Sequence, residues 1–328
     1  MNQKEVQIPL SLLQLLAFQR RLPQNSLVLP LLDQPINKLR AGFKGEKSVE
    51  YQLRYLQKDK YHIFHNIRLR IDNTYFQIDF LLISIHLIII MEVKNISGTL
   101  YFDPVFEQII RKKQDGLEEG FVDPTKQLKR QEVQLKKWLE QNNLPVLPIR
   151  SFVAISNPKT VLKTSIKNYG ISNWIVHNSG IAFKIEEIEK QFFKSSITTK
   201  ELKKVVRKLL KEDEPLKVDY LEKYNVKKEQ ILTGVQCPKC FHFQMKRTKA
   251  SWECPACFYN SKTAYESAVV DYGLLFNQLV TNRQIRDFLG VKARTTNYLL
   301  KNMGIPLIGR KYQLTHSIIY HYAADKEV

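Results

Sequence analysis

The sequence predicts an α/β protein whose main domain runs helix, three strands, helix, strand, followed by two small C-terminal modules. Three observations lead there. The run Phe80–Met91 is almost wholly apolar and sits among strand-like segments. Apolar residues recur at helical spacing on either side of those strands. Beyond them stand two Cys-x-x-Cys pairs and then a short helical tract.

The chain has 328 residues, more than one ordinary core accommodates. At 44% hydrophobic and 25% charged, its composition is that of a globular protein. Lys and Arg number 51 against 32 Asp and Glu, a formal net charge of +19. That balance favours nucleic acid as a partner, because each phosphate neutralised releases a condensed counterion.

Residues 1–36 read as an N-terminal helical arm. Ile8–Phe18 is an amphipathic helix, started by Pro9 and stopped before Pro23, with a proline-punctuated stretch behind it. No basic segment precedes it and no small-residue cleavage site follows, so it does not read as a signal peptide. The longest apolar run, Phe80–Met91, has 12 residues and includes Ser84 and His86. It is too short to span a bilayer and fits a tight pair of buried strands. No membrane partner is expected. The four cysteines do not form a secreted disulfide framework, and a cytoplasmic location is expected.

Residues 37–160 carry the α/β domain. Lys44 to about Lys58 is helical, with Val49, Leu53 and Leu56 on one face. Strands follow at Tyr61–Ile71, Tyr75–Ile83 and Ile85–Val93, with a turn at Asp72-Asn73. Pro124–Gln141 is a second helix, with Leu128, Leu135 and Leu139 recurring on a face, and Ile149–Ser156 is a strand. Residues 161–234 form a mixed extension and linker. There Trp174–His177 and Ile181–Lys184 read as edge strands, and Thr198-x-x-Glu201 opens a lysine-rich helix reaching about Lys211.

The chemistry concentrates in Gln77-Ile78-Asp79-Phe80 and Met91-Glu92-Val93-Lys94. Strand residues two apart share a face, so Glu92 and Lys94 project together and Val93 points into the core. A hairpin turning near Ser84 and Ile85 brings Asp79 beside Glu92. Two converging carboxylates would bind Mg²⁺ or Mn²⁺, with the Val93 carbonyl completing the shell. Such an ion polarises a phosphate and activates water, and Lys94 would stabilise developing charge. The competing reading is a surface ion pair at a strand end. Glu46 lies three and seven residues before Val49 and Leu53 and shares their face. A carboxylate there needs a partner, a metal or the helix N-terminus.

Gly42-Phe43-Lys44-Gly45-Glu46, Ile78-Asp79, Glu92-Val93-Lys94-Asn95-Ile96-Ser97-Gly98 and Asp123-Pro124-x-x-Gln127 together resemble the nuclease-related domain (NERD) family. That family is similar to the PD-(D/E)xK, restriction-endonuclease-like superfamily, and the N-terminal arm resembles that of bacterial members. The resemblance implies an αβββαβ core, a divalent metal and DNA processing. It makes Glu46, Asp79, Glu92 and Lys94 the active-site set, with Gln127 facing it from the second core helix. Asp123-Pro124 stands where the family has Asn-Pro. The activity implied is phosphodiester hydrolysis, with DNA as partner; paired cuts would favour a homodimer. A nuclease fold that is silent and only binds DNA is the alternative. A protein-interaction adaptor is a third reading, against which the basic charge weighs.

Cys237, Cys240, Cys254 and Cys257 give C-x2-C-x13-C-x2-C over residues 235–262, the spacing of a zinc ribbon with a closed, structural Zn²⁺. Redox pairs would need a thioredoxin-like context that the sequence lacks. The intervening Phe241-His242-Phe243 and its basic neighbours serve either as the module's own core or as a nucleic-acid contact.

Residues 263–328 resemble a helix-turn-helix. Thr281 caps a first helix with Ile285, Phe288 and Leu289 in its core, and Gly290-Val291 makes the turn. Tyr298, Leu299 and Met303 pack the second helix. Its start carries Lys292, Arg294, Thr295, Thr296 and Asn297, the positions from which a recognition helix reaches bases and phosphates. Arg310 and Lys311, followed by Tyr312, would form a basic wing.

Overall fold

The structure is a computed structural model that describes residues 2–57, 59–103, 106–164 and 173–323. In chain order it contains β1 (Asn2–Lys4), α1 (Leu10–Arg21), α2 (Leu29–Leu53), β2 (His62–Ile71), β3 (Thr74–Ile83), β4 (Ile88–Lys94), β5 (Thr99–Asp103), β6 (Gln108–Lys112), β7 (Glu118–Val122), α3 (Pro124–Gln141), β8 (Ile149–Ile155), β9 (Val161–Thr164), β10 (Ile175–His177), α4 (Ile181–Glu189) and α5 (Thr199–Glu212). There follow α6 (Tyr220–Lys223), β11 (Lys246–Arg247), β12 (Trp252–Glu253), β13 (Asn260–Ser261), α7 (Ala264–Leu275), β14 (Leu279–Val280), α8 (Asn282–Leu289), α9 (Ala293–Asn302), β15 (Leu307–Ile308), β16 (Lys311–Gln313) and α10 (His316–Ala323). The chain divides into two units, residues 1–7 with 40–216 and residues 8–39 with 217–328.

The first unit is built on a six-stranded sheet ordered β1-β2-β3-β4-β8-β10. β2, β3 and β4 pair antiparallel, while β8 runs parallel to β4. A parallel return requires a crossover, and α3 supplies it. The order α2, β2–β4, α3, β8 is the expected αβββαβ core. Leu128, Leu135 and Leu139 of α3 share one core with Leu202, Val205 and Leu209 of α5. Val49 and Leu53 of α2 share the other with Ile181, Ile185 and Ile188 of α4. β4 is buried between them: Ile88 and Ile90 belong to the first core, Ile89 and Met91 to the second. That two-sided burial is why its sequence is continuously apolar.

The apolar run Phe80–Met91 is indeed a hairpin, Phe80–Ile83 pairing with Ile88–Met91. Its turn begins at Ser84, whose Oγ accepts from the N–H groups of His86 and Leu87. β4 therefore starts at Ile88 rather than Ile85. A second sheet, ordered β7-β6-β5-β9, comes from segments to which the sequence pattern assigned no strand. Its outer strand Glu118–Val122 is almost entirely exposed and has no apolar alternation to read.

Two further segments depart from expectation. Ile181–Lys184 opens α4 instead of forming an edge strand, because Ile181, Ile185 and Ile188 sit at helical spacing on the core. Trp174–His177 does supply an edge strand, with Ile175 opposite Val153. The helix expected from Lys44 begins at Leu29 and runs through Pro35 to Leu53. Buried Leu32 and Ile36 hold it through the proline, so packing overrides the local breaker. Its expected end, Lys58, lies outside the described residues.

In the second unit α1 is embedded, with Leu12, Leu13, Leu15, Leu16 and Phe18 all buried. Gln14 bridges it to the rest of the unit, donating to the Leu274 carbonyl and accepting from the Val218 N–H. Arg21, fully buried, donates to Asp271 Oδ2 at 2.7 Å and to the carbonyls of Leu232 and Gly234. Its guanidinium also lies over the rings of Phe243 and Phe288. The C-terminal part has a three-stranded sheet ordered β14-β16-β15 alongside α8, α9 and α10. Among the described residues, no helix is long and apolar enough to cross a membrane.

Candidate functional site

Asp79 sits where strand alternation breaks. Phe76 and Ile78 face the α3 core, whereas Phe80 and Leu82 face the α2 core. Residues of one parity thus change face across Asp79. On the adjacent strand His65 pairs with Phe80 and Ile67 with Ile78, and Asn66 between them has a φ of 52°. The β3–β4 ladder runs as far as Phe80 and Met91. Beyond it the Asp79 side chain takes over, Oδ2 accepting from the Val93 N–H at 2.8 Å. Asp79 is thereby held just past the end of the β3–β4 ladder, within reach of charges from both faces.

Glu92 and Lys94 project together, as their spacing predicts. Lys94 Nζ donates to Glu92 Oε1 at 2.6 Å and to Gln127 Oε1 at 3.2 Å. Glu92 is buried, and its Oε2 accepts from Gln131 Nε2 at 3.0 Å. Gln131 also donates to the Gln77 carbonyl, while its buried Oε1 has no partner. Both glutamines come from the first half of α3, whose N-cap Asp123 accepts from the Thr125 N–H. Aspartate caps as well as asparagine, so the departure at Asp123-Pro124 leaves the helix start intact.

Glu46 enters from α2. Gly45 before it lets the helix approach closely: a Cβ there would stand 2.6 Å from Ser156 Oγ and 2.9 Å from the Asn95 Cβ. Glu46 Oε2 lies 2.7 Å from Nε2 of buried His65, whose ring packs on Phe80. Sequence reasoning missed His65 and Gln131. Gln131 was detectable, four residues beyond Gln127 and between Leu128 and Leu135 on the buried face of α3. His65 carried no comparable signal.

Burial, then the charges of Glu92 and Glu46, push the Asp79 carboxyl well above the usual carboxylate range. The Val93 N–H and Lys94 oppose them without prevailing. Three carboxylates, one cation and an unpartnered amide oxygen fit a hard divalent ion. The carboxylates do not close into a tight shell; the ligand group within 4.8 Å among the described residues is the cysteine quartet. The Val93 carbonyl, expected as a further ligand, belongs to the residue whose N–H anchors Asp79.

A raised carboxyl pKa has a definite sign in stability. Without added divalent cation, Asp79 holds its proton above the pH at which the unfolded chain releases it. Its contribution is greatest in acid and is lost as pH rises toward the folded value. Asp79→Asn keeps an acceptor for Val93 and removes the charge. Thermal denaturation of the zinc-loaded protein in divalent-free buffer should therefore show a Tm a few degrees higher at neutral pH, and no gain in acid. A lower Tm at neutral pH would mean the carboxylate is not under strain.

The four cysteine sulfurs lie within 4.8 Å of one another, with Cys237–Cys257 at 3.7 Å and Cys240–Cys254 at 3.5 Å. Zn–S bonds of about 2.3 Å in a tetrahedron require sulfurs about 3.8 Å apart. The quartet can hold a metal such as zinc, and with four thiolates it leaves no open position. Burial would raise the Cys254 thiol, but the N–H groups of Cys257 and Ala256 prevail and bring it down to about 7. The aromatic residues between the pairs divide: Phe243 is half-buried against Arg21, while Phe241 is exposed.

At the C-terminus, Thr281 caps α8 through a capping box, and Ile285, Phe288 and Leu289 are buried. Gly290 turns the chain in the left-handed region at φ 69°, where a side chain would be strained. Lys292 and Arg294 stand exposed at the start of α9, Thr295 is half-buried and Asn297 is exposed. Thr296, expected at the surface, is wholly buried, its Oγ donating back to the Lys292 carbonyl. It lies on the helix face shared with Leu299, Leu300 and Met303. Tyr298, expected in the core, is 58% exposed for the same reason of phase. Arg310 and Lys311 are exposed where β15 turns into β16. Tyr312 of β16 donates to Asn297 at 2.9 Å, tying that hairpin to α9.

No curated protein and no solved structure gives a significant match to this chain. The family model described as the nuclease-related domain matches residues 41–156, a span that contains Glu46, Asp79, Glu92, Lys94, Gln127, His65 and Gln131. The chain therefore carries a nuclease-related domain, NERD, over residues 41–156.

Proposed function

We propose that the protein is a divalent-metal-dependent nuclease that hydrolyses phosphodiester bonds in DNA. The observation that carries this reading is the gathering of Asp79, Glu92 and Lys94 where the β3–β4 ladder ends, with Glu46 adding its charge from α2. Asp79 and Glu92 would hold Mg²⁺ or Mn²⁺, with Glu46 completing the negative field. The bound cation would supply polarisation of the phosphate and activation of water. Lys94, held by Glu92 and Gln127, would stabilise charge on a non-bridging oxygen. Gln131 fixes the Glu92 rotamer and keeps Oε1 free for a hydrogen-bond donor. Val93 orients Asp79.

Delivery to DNA is assigned to the second unit, read as a zinc ribbon and a winged helix-turn-helix. Lys292, Arg294, Thr295 and Asn297 would face the duplex from α9, and Arg310 and Lys311 from the β15–β16 hairpin. The net charge of +19 supports a polyanionic partner. Thr296 is withdrawn from that surface by its burial. Paired cutting of two strands would involve a homodimer.

The test of the activity is incubation of zinc-loaded protein with supercoiled, linear and single-stranded DNA, with and without Mg²⁺ or Mn²⁺. Cleavage that needs the added cation supports the proposal. Tight binding without cleavage under every condition favours a silent nuclease fold. For delivery, Arg294→Ala should weaken duplex binding by about 1–3 kcal/mol at a preferred sequence and less elsewhere. Equal affinities across varied duplexes, with and without the substitution, would remove α9 from the interface.

A further inference from the structure

The two Cys-x-x-Cys turns share one geometry. In the first, Phe241 N–H donates to the Cys237 carbonyl and Cys237 N–H to the His242 carbonyl, at 2.9 and 2.8 Å. In the second, Phe258 N–H donates to the Cys254 carbonyl and Cys254 N–H to the Tyr259 carbonyl, both at 2.9 Å. Each turn puts the residue after its second cysteine in the left-handed region, with φ of 60° at Phe241 and 57° at Phe258. Glycine is the unstrained occupant of such a position, and a bulky side chain there is an outlier. Both turns nevertheless carry phenylalanine.

Packing does not explain the choice. Phe241 is 69% exposed and Phe258 is 73% exposed, whereas Val235, Met245 and Trp252 are buried along with Cys237 and Cys254. Two strained, exposed phenyl rings at equivalent positions work against both folding and solubility. The module that carries them is cationic: Lys239, Lys246, Lys249 and Lys262 are all exposed, and Glu253 is the one acidic residue between positions 235 and 262. Exposed lysines and exposed apolar rings on one module match a partner with phosphates and accessible π-faces. Duplex DNA keeps its base faces stacked inside, whereas a single strand presents them.

We propose that Phe241 and Phe258 are stacking platforms for unpaired bases of single-stranded nucleic acid, with the flanking lysines meeting its phosphates. The site is independent of the carboxylate cluster, so it stands or falls whether or not the protein cleaves DNA. It gives the zinc module a role in selecting strand form, beyond the duplex contacts assigned to α9.

The test uses full-length protein carrying Phe241→Gly and Phe258→Gly together. Glycine relieves both backbone positions, so zinc content and Tm should be retained or raised, which separates lost binding from lost folding. Fluorescence anisotropy in buffer free of added Mg²⁺ would follow an oligothymidylate about thirty nucleotides long, an abasic strand of equal length and a duplex. The expected result is at least a tenfold loss of affinity for oligothymidylate, with little change for the abasic strand or the duplex, since a stacked base is worth about tenfold or more. An oligouridylate run in parallel distinguishes DNA from RNA as the strand whose affinity falls further. Unchanged affinity for both base-bearing strands overturns the proposal. So does an equal loss on the abasic strand, which would assign the effect to phosphates rather than base faces.

Discussion

Glu92→Gln and Lys94→Ala should each reduce cleavage by about 10²–10³-fold or more, while changing DNA affinity only slightly. Glu92 lies buried with both oxygens engaged, one by Lys94 and one by Gln131. The glutamine variant preserves its shape and an acceptor but removes the charge that a cation requires. Glu92→Ala is a harsher change, because it also takes one acceptor each from the Gln131 amide and the Lys94 ammonium, leaving them only the Gln77 carbonyl and Gln127 Oε1. Comparing the two separates chemistry from packing. Lys94 is part-exposed, so its truncation should leave Tm within a degree or two of the unsubstituted protein. Rates measured under single-turnover conditions, with affinity taken separately, decide the matter. If affinity falls as far as the rate does, these residues hold phosphate and do no more.

Asp271→Ala should cost about 3–5 kcal/mol of stability in the second unit. Arg20 and Arg21 both reach Asp271, at 2.6 and 2.7 Å, and Arg21 is wholly buried. Burial lowers the affinity of Arg21 for its proton and would raise the Asp271 carboxyl, but the two guanidinium groups hold that carboxyl below its ordinary range. Removing the carboxylate leaves a buried cation facing another cation. Because the folded pKa of Asp271 is depressed, its contribution is present above the unfolded value and is lost as pH falls through the folded one. Chemical denaturation at neutral and acid pH should therefore show a smaller penalty for the substitution in acid. A loss under 1 kcal/mol at neutral pH would mean that Arg21 is held by the Leu232 and Gly234 carbonyls and the Phe243 and Phe288 rings rather than by its ion pair.

Much of the first unit was legible because its signals are local and periodic. The run Phe80–Met91 has a composition that two buried strands require, and Asp79, Glu92 and Lys94 fall at its ends. The α3 stripe and the Thr198 capping box are likewise short-range patterns. What escaped depends on long-range contacts. Helix α2 passes through Pro35 because Leu32 and Ile36 are buried, a fact about partners rather than about the segment. His65 matters because Glu46, 19 residues earlier, meets it across the fold. The face change at Asp79 also defeats simple alternation, which assumes a regular pleat on both sides of the residue. Thr296 and Tyr298 were exchanged in role by a modest error of helical phase: the buried stripe runs through Thr296, Leu299, Leu300 and Met303. The four cysteines needed only their spacing.

The most direct test of the central claim is Mn²⁺ binding to zinc-loaded protein, followed by electron paramagnetic resonance, with Asp79→Asn and Glu92→Gln beside the unsubstituted chain. The account predicts a bound Mn²⁺ signal that both substitutions abolish while the zinc content stays constant. An equal Mn²⁺ signal in all three proteins, or none in the unsubstituted chain, would contradict it.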